Sequence, residues 1–599
     1  MRRVALGLLA IAAVVLLAAG ATSAARPRSS AGYKPPVYGP PAGSGKSTPA
    51  VLRVGTEHGI RGQFTDVQAA IDAAKPGDWI LIAPGDYKEA GNRLAPTTVS
   101  DLRSGAGFLV TTPGLNIRGM DRNTVWLDGT KVGAPRCSSA PADQNFGPND
   151  AAGQPAGRNG IVVYKAANVN IENLSVCNFL NGDNGGGDQI WWDAGGSTGT
   201  QTSLGTWYGD YLTATSTYFK DNSSPSAAYG IYSSNTAGPG QGFFSNDYAS
   251  NFNDSAYYVG ACPDCRVTLD HVQGENSPQG YSGTNSGGHV LIENSEFDNN
   301  ATGLATGDLN NDDAPSPQDG TCPGGAVNPN APNGIQRTQI CWVFINNYVH
   351  DNNNANTPSQ GISGAAPVGT GVTIYGGRHD VFIHNRFVNN GAWGILFTPF
   401  PDNSQPPPVA HCQGGADLST PGSPLCYFDD WGSEFAHNTF THNGFFGNPS
   451  NGDIAELSQD GINYNPDSNC FHDNVDTQHA LTSDPSNIDS YNRCGQTYPP
   501  ASDPVLTAQA SCDSGLLAGC PAATPASYPR ATKVVLTTPP ALPTMSNPCA
   551  GVPTNPWCPA HVAHKHPKKH HPKKHHPKKH HARHKSSRDP DHDRDVDDL

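Results

Sequence analysis

The side chains best suited to moving a proton are concentrated in one short segment. They are Arg378, His379, Asp380, His384 and Arg386. Histidine changes charge near neutral pH, and a basic residue or carboxylate beside a substrate can accept or donate a proton. The segment is therefore a candidate catalytic site. Alternatively, it is a polar turn of variable composition, because Asn168, Arg266 and His289 occupy the equivalent place in other repeats.

Several histidines occupy one position in a short sequence repeat. Alignment on the turn asparagine puts His384, His437 and His472 at one position, one step from Ile383, which is expected to be buried. Successive side chains of a strand point to opposite faces, so these imidazoles are expected to face outward. On adjacent coils they would form a ladder with steps of ~4.8 Å and could bind a metal or relay protons. The alternative is a solvated outer row.

Tandem tryptophans flanked by acids suggest a substrate-binding site for sugar rings. The residues are Asp188, Trp191, Trp192 and Asp193, and they fall in a long excursion between repeats. Flat aromatic faces with neighbouring hydrogen-bond acceptors suit a ring that has an apolar face and a polar rim. Alternatively, the excursion packs its tryptophans against the rest of the fold.

An acidic segment offers oxygen ligands for a metal. Asp308, Asn310, Asp312 and Asp313 present oxygens at short intervals, as Ca²⁺ prefers. The segment lacks the glycine and the distant glutamate of a complete EF-hand loop, so the alternative is a solvated acidic loop.

The N-terminus has the composition of a secretory signal. Arg2 and Arg3 precede an apolar run over residues 4–19 and small residues over 21–25. The run is short for a membrane span, and no second long apolar run follows. The sequence therefore predicts a signal peptide over residues 1–25, export of the mature chain, and no transmembrane segment after cleavage.

Cysteine usage agrees with export. The sequence contains 14 cysteines, and an even number in an exported chain favours disulfides. The Cys262–Cys265 pair is interpreted as a structural bridge rather than a redox pair or half of a zinc site. Pairing of nearest neighbours further predicts Cys137–Cys177, Cys322–Cys341, Cys412–Cys426, Cys470–Cys494, Cys512–Cys520 and Cys549–Cys558.

Composition divides the remainder of the chain. The formal net charge of −15 argues against nucleic acid as a partner. Residues 26–50 are a Pro/Gly/Ser-rich linker, and residues 495–560 are expected to wrap against the main domain and then serve as a spacer. Residues 561–599 repeat His, Pro and Lys before an acidic end and are expected to be disordered. This tail could bind Zn²⁺, Ni²⁺ or Cu²⁺, could hold an anionic cell-wall polymer through its lysines, or could be a solvated appendage.

Short repeats form the main domain, residues 51–494. Alternating apolar and polar residues that end in asparagine occur over 168–178, 289–299 and 380–390. A second short strand, in which glycine precedes Ile, Val or Leu, is predicted at Gly160, Gly230, Gly303, Gly371, Gly394 and Gly461. Such units are too short to bury an apolar side alone and must stack as coils. The repeats therefore predict an all-β fold, a parallel β-helix, because a propeller would need longer repeats of four strands.

An amphipathic helix is predicted ahead of the first coil. Phe64, Val67, Ile71 and Ala74 recur at helical spacing, and Thr65 with Gln68 forms a capping box. A helix here would cover the core and the strand edges that a solenoid exposes at its end. The run from Phe64 to Tyr87, through Lys75-Pro76-Gly77-Asp78 and Trp79-Ile80-Leu81-Ile82, resembles the opening of pectate-lyase-like right-handed parallel β-helix proteins.

This resemblance implies a polysaccharide substrate for a domain over about residues 52–494. Lyases of these families remove the proton next to a uronate carboxylate, which Ca²⁺ or a basic residue must first neutralise. A basic residue then accepts the proton. The sequence has no lysine between Asp221 and Thr532, so the base would come from arginines, histidines or tyrosines, of which the segment 378–386 is the densest group. No complete active-site motif of these families is present.

Long Gly/Pro/Asp-rich excursions interrupt the coils at about residues 180–206, 306–337 and 398–431. The last two each follow a Gly-Ile or Gly-Leu strand, so they are expected to leave the solenoid at the same place and gather along one side, where function tends to lie. Carboxylates available for glycoside hydrolysis, which needs a pair about 5 to 9 Å apart, are Asp380, Asp429, Asp430 and Asp460.

The sequence favours an exported protein that binds or modifies an extracellular polysaccharide as a lyase, epimerase or hydrolase. One alternative is a non-catalytic surface or adhesion module held by its basic tail, and another is an exported metal-binding protein. The acidic composition disfavours polyuronates unless Ca²⁺ bridges them, and therefore favours neutral glycans or binding alone.

Overall fold

Three parallel sheets form the walls of a solenoid, and each complete coil contributes one strand to each wall. We call them sheets I, II and III, in the order in which the chain passes through them. The computed structural model describes residues 48–93, 104–183, 185–195, 202–220, 226–234, 236, 238–260, 262, 264–283, 286, 288–307, 341–359, 367–377, 379–398, 400–402, 416–417, 426–428, 430, 432–457, 469–491, 504–513 and 527–560.

The strands are short and follow one another from coil to coil. Sheet I has 12 strands: Val51–Val54, Trp79–Ile82, Asn116–Gly119, Asn170–Glu172, Gly205–Asp210, Gly240–Ser245, Val267–Asp270, Val290–Glu293, Trp342–Ile345, Val381–Ile383, Glu434–Ala436 and Cys470–His472. Sheet II has 11: Gly85–Lys88, Val125–Asp128, Ser175–Cys177, Thr213–Thr215, Tyr248–Ser250, Gln273–Glu275, Glu296–Asp298, Tyr348–His350, Arg386–Val388, Thr439–Thr441 and Val475–Asp476. Sheet III also has 11: Gly105–Val110, Arg158–Tyr164, Ile190–Asp193, Tyr229–Ser234, Ser255–Gly260, Gln279–Gly283, Thr302–Thr306, Thr370–Tyr375, Trp393–Thr398, Gly452–Glu456 and Ser483–Asp484. The parallel β-helix predicted from the repeats is therefore confirmed.

The remaining elements lie outside the walls. Antiparallel strands pair as Thr56–Glu57 with Ile60–Arg61, and as Cys426–Phe428 between Phe400–Asp402 and Ala416–Asp417. The α-helices are Val67–Ala73, Ile488–Tyr491 and Pro504–Asp513, and a 3-10 turn covers Pro141–Asp143. Within the described residues, no helix has both the length and the apolar character needed to cross a membrane.

The interior is filled by like side chains stacked in rows. Phe344, Phe382, Phe435 and Phe471 occupy matching places in sheet I, with successive ring centroids 5.2, 4.7 and 5.5 Å apart. All four rings are almost completely buried. Because parallel strands lie in register, each inward position repeats at the strand spacing and one residue type can fill a whole row.

The turns carry ladders of asparagine. Between sheets I and II, Asn385 Nδ2 donates to Asn438 Oδ1 over 3.0 Å, and Asn438 Nδ2 donates to Asn474 Oδ1 over 3.0 Å. A second ladder between sheets II and III links Asn352 to Asn390 and Asn390 to Asn443 over 3.2 and 3.1 Å. These amides satisfy backbone groups that a sharp turn would otherwise leave buried without a partner.

The N-terminal helix caps the first coil, with one correction to the predicted cap. Asp66 rather than Thr65 is the N-cap, and its carboxylate accepts from the Ala69 amide over 2.6 Å. The Gln68 amide instead bonds both backbone groups of Leu109, at 3.0 and 2.8 Å. Leu109 lies in the first strand of sheet III, so Gln68 covers part of an edge that would otherwise be open.

A C-terminal segment, residues 527–558, runs back along the solenoid. From residue 527 towards residue 558, the segment forms hydrogen bonds with successively earlier coils. The pairs are Ser527 with Asn448, Val535 with Asn276, Thr537 with Asn251, Met545 with Asn173 and Trp557 with Ile60. The disulfide Cys549–Cys558 closes its last loop. We call this segment the strap.

Three of the predicted disulfides are present: Cys137–Cys177, Cys262–Cys265 and Cys549–Cys558. Each of the other predicted pairs includes a residue outside the described ranges. The predicted signal peptide and linker up to residue 47, and the tail from residue 561, also lie outside them.

Candidate functional site

The predicted catalytic segment does not form one site. His379 and Asp380 lie where the chain enters sheet I, His384 lies in the turn between sheets I and II, and Arg386 lies in sheet II. The chain changes wall within these few residues, so side chains close in sequence point in different directions. Asp380 is buried, and its amide donates to the Ser433 hydroxyl over 3.1 Å. Arg378 lies outside the described residues.

The predicted histidine register was wrong by one residue for His472. Ala436 pairs with His472, so the neighbour of His437 in the row that starts at His384 is Asp473. The row sits at left-handed turn positions, with φ of 59° at His384, 55° at His437 and 56° at Asp473. The expectation that Ile383 is buried was also wrong: it faces outward and is half-buried, since the inward residue of its strand is Phe382. The His384 and His437 rings stack at 5.2 Å, while His472 meets His437 edge-on at 5.7 Å.

The predicted tryptophan excursion is instead part of the solenoid. Ile190–Asp193 is a strand of sheet III, bonded in register to Arg158–Tyr164 and Tyr229–Ser234. Trp192 points inward, is fully buried and stacks on Trp207 at 4.7 Å, so it cannot contact a substrate. Trp191 points outward. Alternation along the strand divides the pair between two environments.

Trp191 begins a row of aromatic rings on the outer face of sheet III. It pairs with Tyr232, which pairs with Tyr258 on the next rung. The Trp191 and Tyr232 rings stack at 5.0 Å with an interplanar angle of 6°, and Tyr232 meets Tyr258 at 4.8 Å. Tyr229 lies 5.1 Å from both tyrosines. The four rings form one continuous stack over three rungs, in which Trp191 and Tyr258 are 6% and 7% exposed and Tyr229 and Tyr232 are half-buried. We call this stack the aromatic face.

Two carboxyl groups border this face. Asp254 immediately precedes the strand of the third rung, and Asp188 lies two residues before the strand of the first rung. Ala228 links the two turns, since its amide donates to Gly187 O over 3.0 Å and its carbonyl accepts from the Asp254 amide over 3.3 Å. Tyr229, on the rung between them, donates its hydroxyl hydrogen to Asp254 Oδ2 over 3.1 Å. Two rungs correspond to ~9.6 Å between the backbones.

The two carboxyls have different environments. Asp188 is 7% exposed, and burial, reinforced by the charges of Asp254 and Asp193, raises its pKa to about 8. Asp188 is therefore protonated at neutral pH and can donate a proton. Asp254 is half-buried and accepts the Tyr229 hydroxyl. Burial also raises the pKa values of Tyr229 and Tyr232 well above the ordinary tyrosine value, so these tyrosines stay neutral and act as donors.

Asp193, the remaining predicted substrate ligand, serves a turn. Its Oδ1 accepts the Gly195 amide over 2.7 Å, and the side chain is fully buried. Asp430, considered above for hydrolysis, is likewise buried and accepts the Gly377 amide over 2.6 Å. The predicted calcium ligands Asp308, Asn310, Asp312 and Asp313, together with Asp429 and Asp460, lie outside the described residues.

The long excursions enter and leave the solenoid at the edges of sheet III. Residues 307–341 and 399–433 both connect sheet III to sheet I, as the sequence predicted. Residues 129–157 and 351–369 connect sheet II to sheet III at the opposite edge. Long connections therefore adjoin sheet III at both of its edges.

No protein-family model and no curated protein matches this sequence. Solved structures with a similar fold are the A-module of the mannuronan C-5 epimerase AlgE4 of Azotobacter vinelandii, an alginate lyase of a Paenibacillus species, and the pectate lyase Pel9A. All three are parallel β-helix proteins.

The sequences share little identity with this chain. The epimerase module is 12% identical with a TM-score of 0.38, covering 73% of this chain and 94% of that chain. The alginate lyase is 13% identical with a TM-score of 0.32, covering 65% of this chain and 95% of that chain. Pel9A is 12% identical with a TM-score of 0.32, covering 82% and 90% respectively. The likeness concerns the fold.

Sequence reasoning missed Tyr229, Tyr232, Tyr258 and Asp254, although a signal for Tyr232 and Tyr258 was present. Glycine precedes an inward apolar residue in many strands of sheet III, although not before Ile190, Tyr257 or Ile454, and the residue after that apolar one faces outward. Reading that position from rung to rung gives Val162, Trp191, Tyr232, Tyr258, Ser282, Ala305, Thr373, Leu396 and Ala455. The aromatic residues are consecutive in this row.

Proposed function

We propose that the protein is an exported glycoside hydrolase that binds a linear, neutral polysaccharide along the outer face of sheet III. The observation that carries this proposal is the aromatic face with a buried, protonated carboxyl at one end and a second carboxyl two rungs away. The rings of this face lie in a line along the solenoid, and the carboxyls offer an acid and a base.

The division of roles follows from the two environments. Hydrolysis of a glycosidic bond needs one carboxylic acid to protonate the leaving oxygen and one carboxylate to activate water or attack the sugar. Asp188 is the general acid, because it holds its proton at neutral pH. Asp254 is the base, because the Tyr229 hydroxyl donates to its carboxylate and favours the charged form. Carboxyls whose environments separate their protonation states are typical of such pairs.

The substrate class follows from charge and from the neutral tyrosines. The chain has a formal net charge of −15, which repels polyuronates. The aromatic face itself carries hydroxyl donors and carboxyl acceptors, and those groups suit sugar hydroxyls. A neutral glycan therefore fits better than an anionic one.

The test is to incubate the mature protein with neutral and uronate polysaccharides, with and without Ca²⁺. The proposal expects new reducing ends from a neutral glycan, no unsaturated product, and loss of the activity in Asp188→Asn and Asp254→Asn. Unsaturated products from a uronate would replace the hydrolase assignment with a lyase. Retention of a glycan without cleavage would support the non-catalytic adhesion module instead, and absence of both would refute the proposal.

A further inference from the structure

A cluster of two carboxylates and one imidazole lies on the outer face of sheet II, away from the aromatic face. Glu296 and Asp298 are two residues apart in one strand and therefore face the same side. His350 pairs directly with Asp298 on the next rung. One ligand atom from each of the three residues lies within 4.8 Å of the other two.

The imidazole is held in one orientation by a carboxylate behind it. Asp351 Oδ2 lies 2.7 Å from His350 Nδ1, and Asp351 itself accepts from Asn389 Nδ2 over 3.1 Å. Asp351 occupies a left-handed turn position with φ of 53°. With Nδ1 engaged in this way, Nε2 faces the carboxylates and lies 3.0 Å from Glu296 Oε1. A carboxylate that fixes the far nitrogen of a histidine is the usual arrangement behind a metal-bound imidazole.

Aromatic packing holds the imidazole from another side. The Tyr348 ring stacks on the His350 ring at 3.9 Å, and the Arg386 guanidinium lies 4.4 Å from the Tyr348 ring centre. The His350 side chain is 9% exposed, while Glu296 keeps 32% exposure. The cluster is thus rigid on the histidine side and open to solvent at Glu296, which provides an entry path for an ion.

Negative charge exceeds positive charge around the cluster. Glu275 lies on the preceding rung, directly paired with Asp298, so three carboxylates of adjacent rungs face outward together. Thr537 of the strap approaches Glu275 over 3.4 Å and brings no charge. Arg386, on the same wall, lies over the Tyr348 ring. A divalent cation would offset this excess, and one imidazole with carboxylates suits a first-row transition ion.

We propose that Glu296, Asp298 and His350 form a binding site for a divalent first-row transition cation, with Asp351 as a positioning residue. This site is distinct from the predicted calcium segment and from the histidine-rich tail. It joins two adjacent rungs of sheet II, so a bound ion would also stabilise the solenoid.

Mn²⁺ is the appropriate probe, because imidazole-rich sites such as the tail bind Mn²⁺ least among the first-row ions. Mn²⁺ is added to the full-length mature protein, and binding is followed by electron paramagnetic resonance. The inference expects one site per chain with hyperfine coupling to a single imidazole nitrogen. His350→Gln should remove that coupling, and His350→Gln and Asp298→Asn should each weaken binding at least tenfold.

Asp351→Asn tests the positioning role. It keeps all three ligands and should weaken binding by about 10- to 100-fold while retaining the nitrogen coupling. Asp264→Asn is the matched control, because Asp264 also pairs with a histidine, His289, away from this cluster. The Asp264→Asn protein should bind Mn²⁺ with the affinity of the wild type.

Thermal melting of the metal-free variants checks that each is folded. If His350→Gln is unfolded, the isosteric variant Glu296→Gln takes its place in the binding test. Mn²⁺ should raise the melting temperature of the wild type and of Asp264→Asn, and not that of Asp298→Asn. The inference is overturned if bound Mn²⁺ shows no nitrogen coupling, or if Asp298→Asn and Glu296→Gln bind it as the wild type does.

Discussion

The Tyr229 hydroxyl donates a hydrogen bond of 3.1 Å to Asp254 Oδ2 from the rung that separates Asp254 from Asp188. One tyrosine thus belongs to the aromatic face and at the same time fixes the carboxylate that we assign as the base. Tyr229→Phe keeps the ring and removes only this donor. We expect kcat for glycan hydrolysis to fall about tenfold, equivalent to ~1.4 kcal/mol, with little change in KM.

The control for this prediction is a measurement of the folding stability of Tyr229→Phe. Loss of one hydrogen bond should lower the free energy of unfolding by only ~1 kcal/mol, so denaturant unfolding should show a folded variant. A Tyr229→Phe protein with wild-type kcat would show that Tyr229 does not orient a catalytic group.

Trp191 should carry much of the affinity for glycan. Its ring stacks on Tyr232 at 5.0 Å and starts the aromatic face. Trp191→Ala should weaken glycan binding at least tenfold, or ~1.4 kcal/mol, as measured by affinity electrophoresis. Tyr208→Ala is the matched control, because Tyr208 forms a similar stack with Phe243, at 4.9 Å, on the outer face of sheet I. Equal losses in the two variants would contradict the assignment of sheet III.

Asp188 should make both activity and stability depend on pH. Its pKa is about 8 in the folded protein against 3.8 in the unfolded chain. Activity that needs the protonated acid should disappear as pH rises through about 8. Between the two pKa values the folded state holds a proton that the unfolded state has lost, so stability falls with rising pH by up to ~1.4 kcal/mol per pH unit. Below the pKa of the unfolded chain both states hold the proton, so the loss of stability vanishes there.

Asp188→Asn should remove that slope. The wild type should lose on the order of 2 kcal/mol more than the variant between about pH 5 and about pH 7, as measured by chemical denaturation. Parallel pH profiles of the two proteins would mean that Asp188 ionises normally.

The asparagine ladders should be a large source of stability. Asn385 Nδ2 donates to Phe344 O and Asn438 Oδ1, and its Oδ1 accepts from the Asn347 amide over 2.9 Å. Asn385→Ala leaves these buried groups without partners and should cost about 2–4 kcal/mol. Thr439→Ala, on the outer face of sheet II, should stay within ~0.5 kcal/mol of the wild type. Urea unfolding that gives equal values for both would show that the ladder is dispensable.

The fold could be predicted because its signals are local and repeated. Apolar alternation and the turn asparagines recur in each coil, and stacking follows from them without knowledge of distant contacts. The same local pattern also predicts which residues of adjacent strands pair. Phe382, Phe435 and Phe471 occupy one inward row, and counting from these phenylalanines places Asp473, not His472, beside His437.

The candidate sites could not be predicted so directly, because they join residues from different coils. Glu296 and His350 face each other only because the chain between them passes through sheets III and I and returns to the next rung of sheet II. The prediction that segment 378–386 forms one site was wrong for the opposite reason. Its residues are close in sequence, but the chain turns from one wall to the next between them. Side-chain direction was also hidden, since nothing local distinguishes the inward Trp192 from the outward Trp191.

The most direct test of the account is a crystal structure of Asp188→Asn soaked with the hexasaccharides of cellulose, xylan and mannan. The account predicts a sugar chain lying across Trp191, Tyr232 and Tyr258, with a glycosidic oxygen beside residue 188. A chain bound on the outer face of sheet I or sheet II, with the aromatic face left empty, would contradict it.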